Sequence, residues 1–329
     1  MRNARRRNIG ALLALLIAAA ALSGCMSAPP DSLIRKDAEP RSLISASTEE
    51  LSADTREIML YFRYGHTGYL APEKRTITVQ RNESLEKAVV QALIYGPETA
   101  ASALSALFPA GTEVLAATSQ GDTLFITFND SFLGRYADEP ADQNAGEWKT
   151  EGPLRRQLCL DALAATLTEA GLCVDTQILV YRGASQTTTM RLQAGFLTRT
   201  QDDAILPVLR RNEERLLTPH NTAVLVMQAW MAQDWEALYD LTAREGTQAR
   251  PGEQTAFDVF AAGSVLTDFS LSCGSVSYNG QSAVITADLT LRGAGRDRTV
   301  SGYPLLLVRE GGLWKADYGR LTALMGAQE

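Results

Sequence analysis

Leu93-Ile-Tyr-Gly96-Pro97 and Leu107-Phe-Pro109-Ala-Gly111-Thr112 are the stretches that decide the fold of the first half of this chain. Asn82-Glu-Ser84 is a helix-start signal, and the apolar residues after it recur at helical spacing. Gly96 can supply a left-handed cap and Pro97 cannot continue a helix, so the sequence predicts that the helix ends there. The second stretch is typical of a turn.

Strands are predicted on both sides of this helix. Ile58–Phe62 is short, apolar and aromatic, and Arg75–Gln80 alternates in period two with β-branched residues. Glu113–Thr118 and Thr123–Phe128 are joined around Gly121-Asp122, which predicts a hairpin. The segment therefore begins with two strands, a helix and two further strands.

A second helix and a last strand complete this segment. Pro153 is well suited to be the first residue of the helix, Gly171 would end it, and Thr176–Tyr181 is an apolar strand. The order ββα–ββ–αβ predicts an α+β fold, a small mixed sheet with two helices on one face.

These stretches resemble the GerMN domain when they are taken together with Leu124-Phe-Ile-Thr-Phe128-Asn129. The family is that of sporulation and spore-germination lipoproteins of endospore-forming bacteria. The resemblance covers about residues 57–183 and implies that Gly96, Pro97, Pro109 and Gly111 are structural motif positions. It also implies a role in sporulation, germination or the cell envelope.

The N-terminus has the features of an export signal. Four arginines stand within residues 1–7, and Ile9–Leu22 is apolar but shorter than the roughly 20 residues of a membrane-spanning helix. Leu22-Ser23-Gly24-Cys25 resembles a bacterial lipobox, in which the signal is cleaved between Gly24 and Cys25 and the cysteine is acylated. We therefore expect a signal peptide over 1–24, a palmitate-type lipid anchor on Cys25, and a flexible tether over 25–56. A plain secreted protein is the alternative.

This expectation sets the location and the charge. Loss of the four signal arginines would change the formal charge from −7 to −11. The predicted location is the extracytoplasmic face of the cell membrane, reached through the lipid anchor. So acidic a chain is poorly suited to bind nucleic acid.

The second half is predicted to start after a linker over 184–218, part of which (204–217) could be helical. Thr222–Leu241 is strongly helical, and four strand-like runs follow: Phe269–Ser277, Ser282–Leu291, Val300–Arg309 and Leu313–Tyr318. A helix followed by an antiparallel meander over about 219–325 resembles the nuclear-transport-factor-like (cystatin-like) cone.

Motifs for catalysis are weak. Ser84-Leu-Glu-Lys87 matches the Ser-x-x-Lys of penicillin-recognising enzymes, but the accompanying Lys-Thr-Gly is missing, and Ser84 is better explained as a helix cap. The two histidines, His66 and His220, have no ligand-spaced partners, so we expect no metal site and no cofactor. Cys159, Cys173 and Cys273 are interpreted as small buried hydrophobic residues.

The cone-like half offers a candidate pocket. Trp230, Trp235, Tyr239 and Trp314 could line a cavity, although aromatic residues at helical spacing more often form a core. The favoured hypothesis is a non-enzymatic lipoprotein that assembles with protein partners in the envelope. The alternative is a ligand-binding or signalling-accessory lipoprotein that uses this pocket for a small molecule, and an enzyme in the cone is the third.

Overall fold

The computed structural model describes residues 54–98, 103–142, 146–182, 188–293 and 297–326. The described residues belong to one compact unit, Ala53–Glu329. The predicted signal peptide, the lipobox with Cys25 and most of the predicted tether lie outside the described residues.

Among its described residues, the first half contains two sheets and three α-helices. The first sheet is antiparallel in the order β2-β1-β3, and the second has the order β4-β5-β6-β7 with β5 and β6 parallel. The strands are β1 (Asp54–Tyr64), β2 (Leu70–Val79), β3 (Leu104–Ser105), β4 (Val114–Gln120), β5 (Thr123–Phe128), β6 (Asp175–Arg182) and β7 (Thr188–Arg191). The helices are α1 (Leu85–Tyr95), α2 (Trp148–Glu169) and the short α3 (Gly195–Thr198).

The α+β class is confirmed, but the expectation of one sheet with two helices on one face is wrong. Helix α1 contacts β1, β2 and β4, while α2 contacts β1 and β6, so both helices bridge the two sheets. One apolar core includes residues from both sheets. Local periodicity predicts β1, β2, β4, β5 and β6, although not β3 or β7, and it does not say which strands pair. For this reason the sequence could not separate the sheets.

Helix α2 also begins earlier than predicted. The amides of Thr150 and Glu151 donate to the carbonyl of Glu147 at 3.1 and 2.9 Å, which closes the first turn before Pro153. A proline in the second turn removes a single backbone donor, and the turn before it remains intact.

The second half is built around one antiparallel sheet in the order β12-β11-β10-β8, with β9 also paired to β10. Its strands are β8 (Val265–Leu271), β9 (Ser275–Val276), β10 (Ser282–Arg292), β11 (Asp297–Glu310) and β12 (Leu313–Ala316). Its helices are α4 (Pro219–Ala232), α5 (Trp235–Asp240), α6 (Glu253–Ala262) and α7 (Tyr318–Met325). A curved meander preceded by helices is consistent with the cone-like resemblance.

The single helix predicted over 222–241 is in fact two. Gln233 is left-handed (φ 57°), and Asp234 then caps α5 by accepting from the amide of Ala237 at 3.1 Å. The last predicted strand is also shorter, because Asp317 caps α7 and Tyr318 is helical. Helices α6 and α7 were not predicted.

The connecting segment packs against the first half. Strand β7 pairs with β6, and Leu209 exchanges backbone hydrogen bonds with Thr176. The amide of Leu217 donates to Leu70 at 2.7 Å, and its side chain joins the second core together with Tyr64. The possible helix within 204–217 is not formed, and the only helical turn there is the 3-10 turn Glu213–Arg215.

Candidate interaction surface

The Phe-Pro-x-Gly-Thr turn ties the beginning of β4 to the end of β5. Gly111 has a positive φ (78°), and the hydroxyl of Thr112 donates to the carbonyl of Pro109 at 2.7 Å. Asn129 donates from Nδ2 to Gly111 at 2.9 Å and accepts at Oδ1 from Glu113 at 3.1 Å. The turn therefore fixes where strand β4 enters the sheet.

A buried arginine binds the free carbonyls at the C-terminal end of α1. Arg75, on β2, donates to the carbonyls of Gly96 and Ala92 at 2.9 and 3.2 Å and also pairs with Glu73. A cation at this end satisfies carbonyls that the helix leaves without a partner and complements its dipole. In the sequence Arg75 is only one residue of an alternating strand, and nothing in the pattern marks this role.

Gly96 is the glycine that this closure requires. Its φ is 96° with ψ at −176°, so the predicted left-handed cap is wrong in detail: φ is positive but ψ is extended. A Cβ atom at this position would stand 3.1 Å from the Cβ of Ala106. The tight approach and the positive φ together explain the glycine.

The long loop after β5 is held by a second buried charge cluster. The side chain of Glu139 is fully buried and accepts from Arg156 at 2.8 Å, and Arg199 lies 3.6 Å away. Arg199 also donates to the carbonyls of Leu133 and Gly134. Burial alone would raise the pKa of Glu139, but the amide of Tyr136 and the two guanidinium groups together lower it below its ordinary value.

Strand β4 is an open edge of the second sheet. It pairs with β5 on one side, and its outer side has no strand partner among the described residues. Its sequence, Val-Leu-Ala-Ala-Thr-Ser-Gln, contains no charge and no proline, and Ala116 and Thr118 are exposed. Charge, proline and β-bulges are among the usual protections of an edge strand against pairing with another chain, and of these β4 has only a bulge between Val114 and Ala116.

The other edges in the described residues are protected. Strand β2 carries Glu73, Lys74 and Arg75, β8 carries Asp268, and β7 is four residues long. The amide of Tyr61 on β1 donates to the hydroxyl of Thr166 on α2 at 3.1 Å, so α2 covers that side of β1. Of the edge strands longer than two residues in this part of the chain, β4 alone lacks a charge.

The predicted pocket residues lie in the second core. Trp230 is fully buried, with its indole nitrogen donating to the carbonyl of Ser264 at 2.9 Å, and Trp314 is also buried. Trp235 and Tyr239 are half-buried and pack against the same core. The four aromatic rings are thus packing residues in this structure.

The other singled-out residues have ordinary surroundings. Ser84 caps α1 by accepting from the amide of Lys87 at 3.2 Å. His66 and His220 are exposed. Cys159 is buried and Cys173 half-buried, whereas Cys273 is exposed, so the interpretation as a small buried residue is wrong for Cys273.

Neither a cluster of metal ligands nor a membrane-spanning helix occurs among the described residues. Among them, no group of three or more His, Cys, Asp or Glu side chains is arranged to hold a metal ion. No helix there has both the length and the apolar character to cross a membrane.

The first half is thus an α+β domain closed by a Gly-Pro helix end and a Phe-Pro-x-Gly-Thr turn. Residues 59–180 match the model of the Germane family, described as "Sporulation and spore germination". The chain therefore carries a GerMN-like (Germane) domain, as its sequence predicts.

Solved structures give likenesses at low identity. The chain is 15% identical to the tandem GerMN domains of the Bacillus subtilis sporulation protein GerM, over 51% of this chain and 50% of that chain (TM-score 0.31). It is 16% identical to the first GerMN domain of that protein, over 47% of this chain and 98% of that chain (TM-score 0.31). A Clostridium perfringens protein titled a putative lipoprotein is 20% identical, over 39% of this chain and 74% of that chain (TM-score 0.23).

The match to the tandem protein is partial, since the chain spans half the length of that structure. No curated protein matches the chain in sequence.

Proposed function

We propose that this protein is a non-enzymatic, lipid-anchored component of a protein assembly in sporulation, germination or envelope processes. The Germane domain over 59–180 is the observation that carries the proposal, because its family is described by those processes. Cys25 would carry the acyl anchor and place the folded unit at the extracytoplasmic face of the membrane.

The open edge of β4 supports assembly through strand addition. In a hairpin with a two-residue loop, the residues that flank the loop pair by hydrogen bonds, so the amides of Ala117 and Ser119 point away from β5. A strand of a partner protein can pair with these groups. A groove of about 430 Å³ between α1 and the start of β4, lined by Lys87, Gln91 and Ile94, offers room for its side chains.

The experiment compares the two edges of the same sheet. Ala116→Lys with Thr118→Lys places two charges on exposed positions of β4, and Thr188→Lys with Thr189→Lys does the same on β7. Both proteins are expressed with the native N-terminus, crosslinked in membranes of the source cell and purified. We expect the β4 variant to lose its crosslinked partners and the β7 variant to keep them.

Equal recovery of partners by the two variants would contradict the role of β4. Thermal melts of both variants show whether the fold is kept. Failure of the wild-type protein to crosslink to any protein would contradict the assembly role itself.

The anchor has a separate test. Cys25→Ser should abolish incorporation of an alkyne-labelled fatty acid and move the protein from the membrane to the soluble fraction. Cys273→Ser is the matched control, because Cys273 is exposed but has no lipobox before it. Acylation that persists in Cys25→Ser would contradict the proposed anchor.

A further inference from the structure

A cleft of about 480 Å³ lies between the two halves of the folded unit. Tyr64, His66 and Thr67, at the turn between β1 and β2, form one wall. Helices α4 and α5 form the other. The volume is within the range of small-molecule sites, which often lie between domains.

The walls are mainly small and aliphatic. Six apolar side chains line the cleft: Ala103, Leu225, Ala229, Ala232, Ala237 and Leu241. Four of the six are alanines, so the space between the walls is left unfilled by side chains. Such a surface suits a short alkyl chain.

The charge of the lining is negative. Asp234 and Asp240 line the cleft, and no lysine or arginine is among its lining residues. In the described part of the chain neither carboxylate forms an ion pair within 4.0 Å. One carboxylate oxygen of Asp234 accepts the hydrogen bond that caps α5, and the group keeps its negative charge.

A lysine beside the cleft, Lys315, already has hydrogen-bond partners. Lys315 donates from Nζ to the backbone carbonyl of Asp240 and lies 3.4 Å from the hydroxyl oxygen of Tyr64. Burial first, and the charge of Asp240 second, raise the pKa of Tyr64 to about 12. The Tyr64 hydroxyl therefore remains neutral at physiological pH, and this wall of the cleft adds no negative charge.

We propose that this cleft is a binding site for an organic cation, a primary ammonium group carried on a short aliphatic chain. The carboxylates of Asp234 and Asp240, at opposite ends of α5, attract the ammonium, and the alkyl chain lies along the alanine wall of α4. This site is separate from the β4 edge proposed for docking. It is formed by the turn after β1 and by helices α4 and α5 of the second half.

The test uses n-pentylamine as the probe, titrated into the full chain by calorimetry, with n-pentanol and pentanoate as probes of equal chain length. We expect saturable binding of the amine, several-fold weaker binding of the alcohol and no binding of the anion. Equal binding of amine and alcohol, or no saturation by the amine, would overturn the proposal.

Matched variants assign the charge. Asp234→Asn keeps an N-cap, because Asn caps as well as Asp does, and Asp240→Asn removes the second charge. Each substitution should weaken the binding of n-pentylamine by about two- to fivefold, the range for an exposed charge pair. Asp258→Asn, on the exposed face of α6 and outside the cleft, should leave binding unchanged. An equal loss in Asp258→Asn would show that the effect is only one of net charge.

A filling variant assigns the place. Ala232 is exposed to the cleft at the end of α4, and Ala232→Leu adds aliphatic volume without a change of charge. We expect at least tenfold weaker binding of n-pentylamine with an unchanged melting temperature. Undiminished binding would place the amine elsewhere.

Discussion

The two halves of the molecule handle buried charge in different ways. The first half buries Arg63, Arg75 and Arg156, each exposed by 6% or less, and each pairs with a carboxylate. The ion pairs of the second half, Arg244–Glu310 and Arg292–Asp297 in the described residues, lie at the surface. Its fully buried carboxylate, Asp317, is held by neutral donors.

Arginines of both halves also bind backbone carbonyls, but only those of the first half pair with buried carboxylates among the described residues. Arg75 on β2 donates to the carbonyl of Gly96 after α1, and Arg199 after α3 donates to the carbonyls of Leu133 and Gly134. Arg156 on α2 pairs with the carboxylate of Glu139 in the loop after β5.

In the second half Arg250 likewise donates to carbonyls, those of Tyr239 and Thr242, but no arginine pairs with its buried carboxylate Asp317 within the described residues. Buried ion pairs are expensive to break, and the comparison can therefore be tested by breaking one charge in each half.

The largest effect is expected from Arg156→Met. The variant leaves the fully buried Glu139 with Arg199 alone at 3.6 Å, and loss of one partner of a buried pair costs about 3–5 kcal/mol. Urea unfolding followed by circular dichroism measures the loss.

Arg155→Met is the control for Arg156→Met. Arg155 pairs with Asp138, which is 64% exposed, so a change of about 1 kcal/mol or less is expected. Similar losses in both variants would contradict the burial of the Glu139 pair.

In the second half, Asp317→Ala should have the next largest effect. Its carboxylate accepts from the amides of Thr247 and Arg320 at 2.7 and 2.8 Å. Loss of the cap and of a buried acceptor together costs about 2–4 kcal/mol. Thermal unfolding of the full chain checks it.

Asp317→Asn is the informative companion variant. An amide can still accept from Arg320, but its NH₂ group would face a donor at Thr247. We expect a loss smaller than that of Asp317→Ala. If Asn were as harmful as Ala, the charge itself rather than the cap geometry would hold the helix.

Acid should weaken the first half through Glu139. Its folded pKa lies below the ordinary value of 4.5, so its ionised form stabilises the fold above that value. This contribution is lost as pH falls through the lower folded pKa. Unfolding free energies measured from pH 6 to pH 3 should decline less steeply in Glu139→Gln than in the wild type. Parallel curves would contradict the lowered pKa.

The sequence predicted what is local and missed what is distant. The hairpin at Gly121-Asp122, the cap at Ser84 and the end of α1 depend on neighbouring residues and were found. The division into two sheets depends on pairing between strands far apart in sequence. The carbonyl contacts of Arg75 and Arg199 are equally distant, and no local pattern marks them.

The break between α4 and α5 is a local feature that the sequence prediction nevertheless missed. Gln233 has no preference for the left-handed conformation that it adopts, so apolar spacing alone carried the predicted helix across it. Asp234 before Trp235 was a readable N-cap signal, three residues ahead of the amide that it binds. Weighing caps against periodicity would have divided the helix correctly.

The smallest expected losses of stability come from two N-caps, one in each half of the molecule. Ser84 and Thr218 each accept a hydrogen bond at 3.2 Å from the amide three residues later. Replacement by Ala costs about 1 kcal/mol at such a position. Thr218 also stands where the chain enters the second half. Comparing the two variants therefore tests whether the Thr218 cap stabilises this junction as well as the helix. Equal losses for Ser84→Ala and Thr218→Ala in urea unfolding would show that capping is local in both halves. A loss at Thr218 well above that at Ser84 would show that the cap also holds Leu217 in place against Leu70.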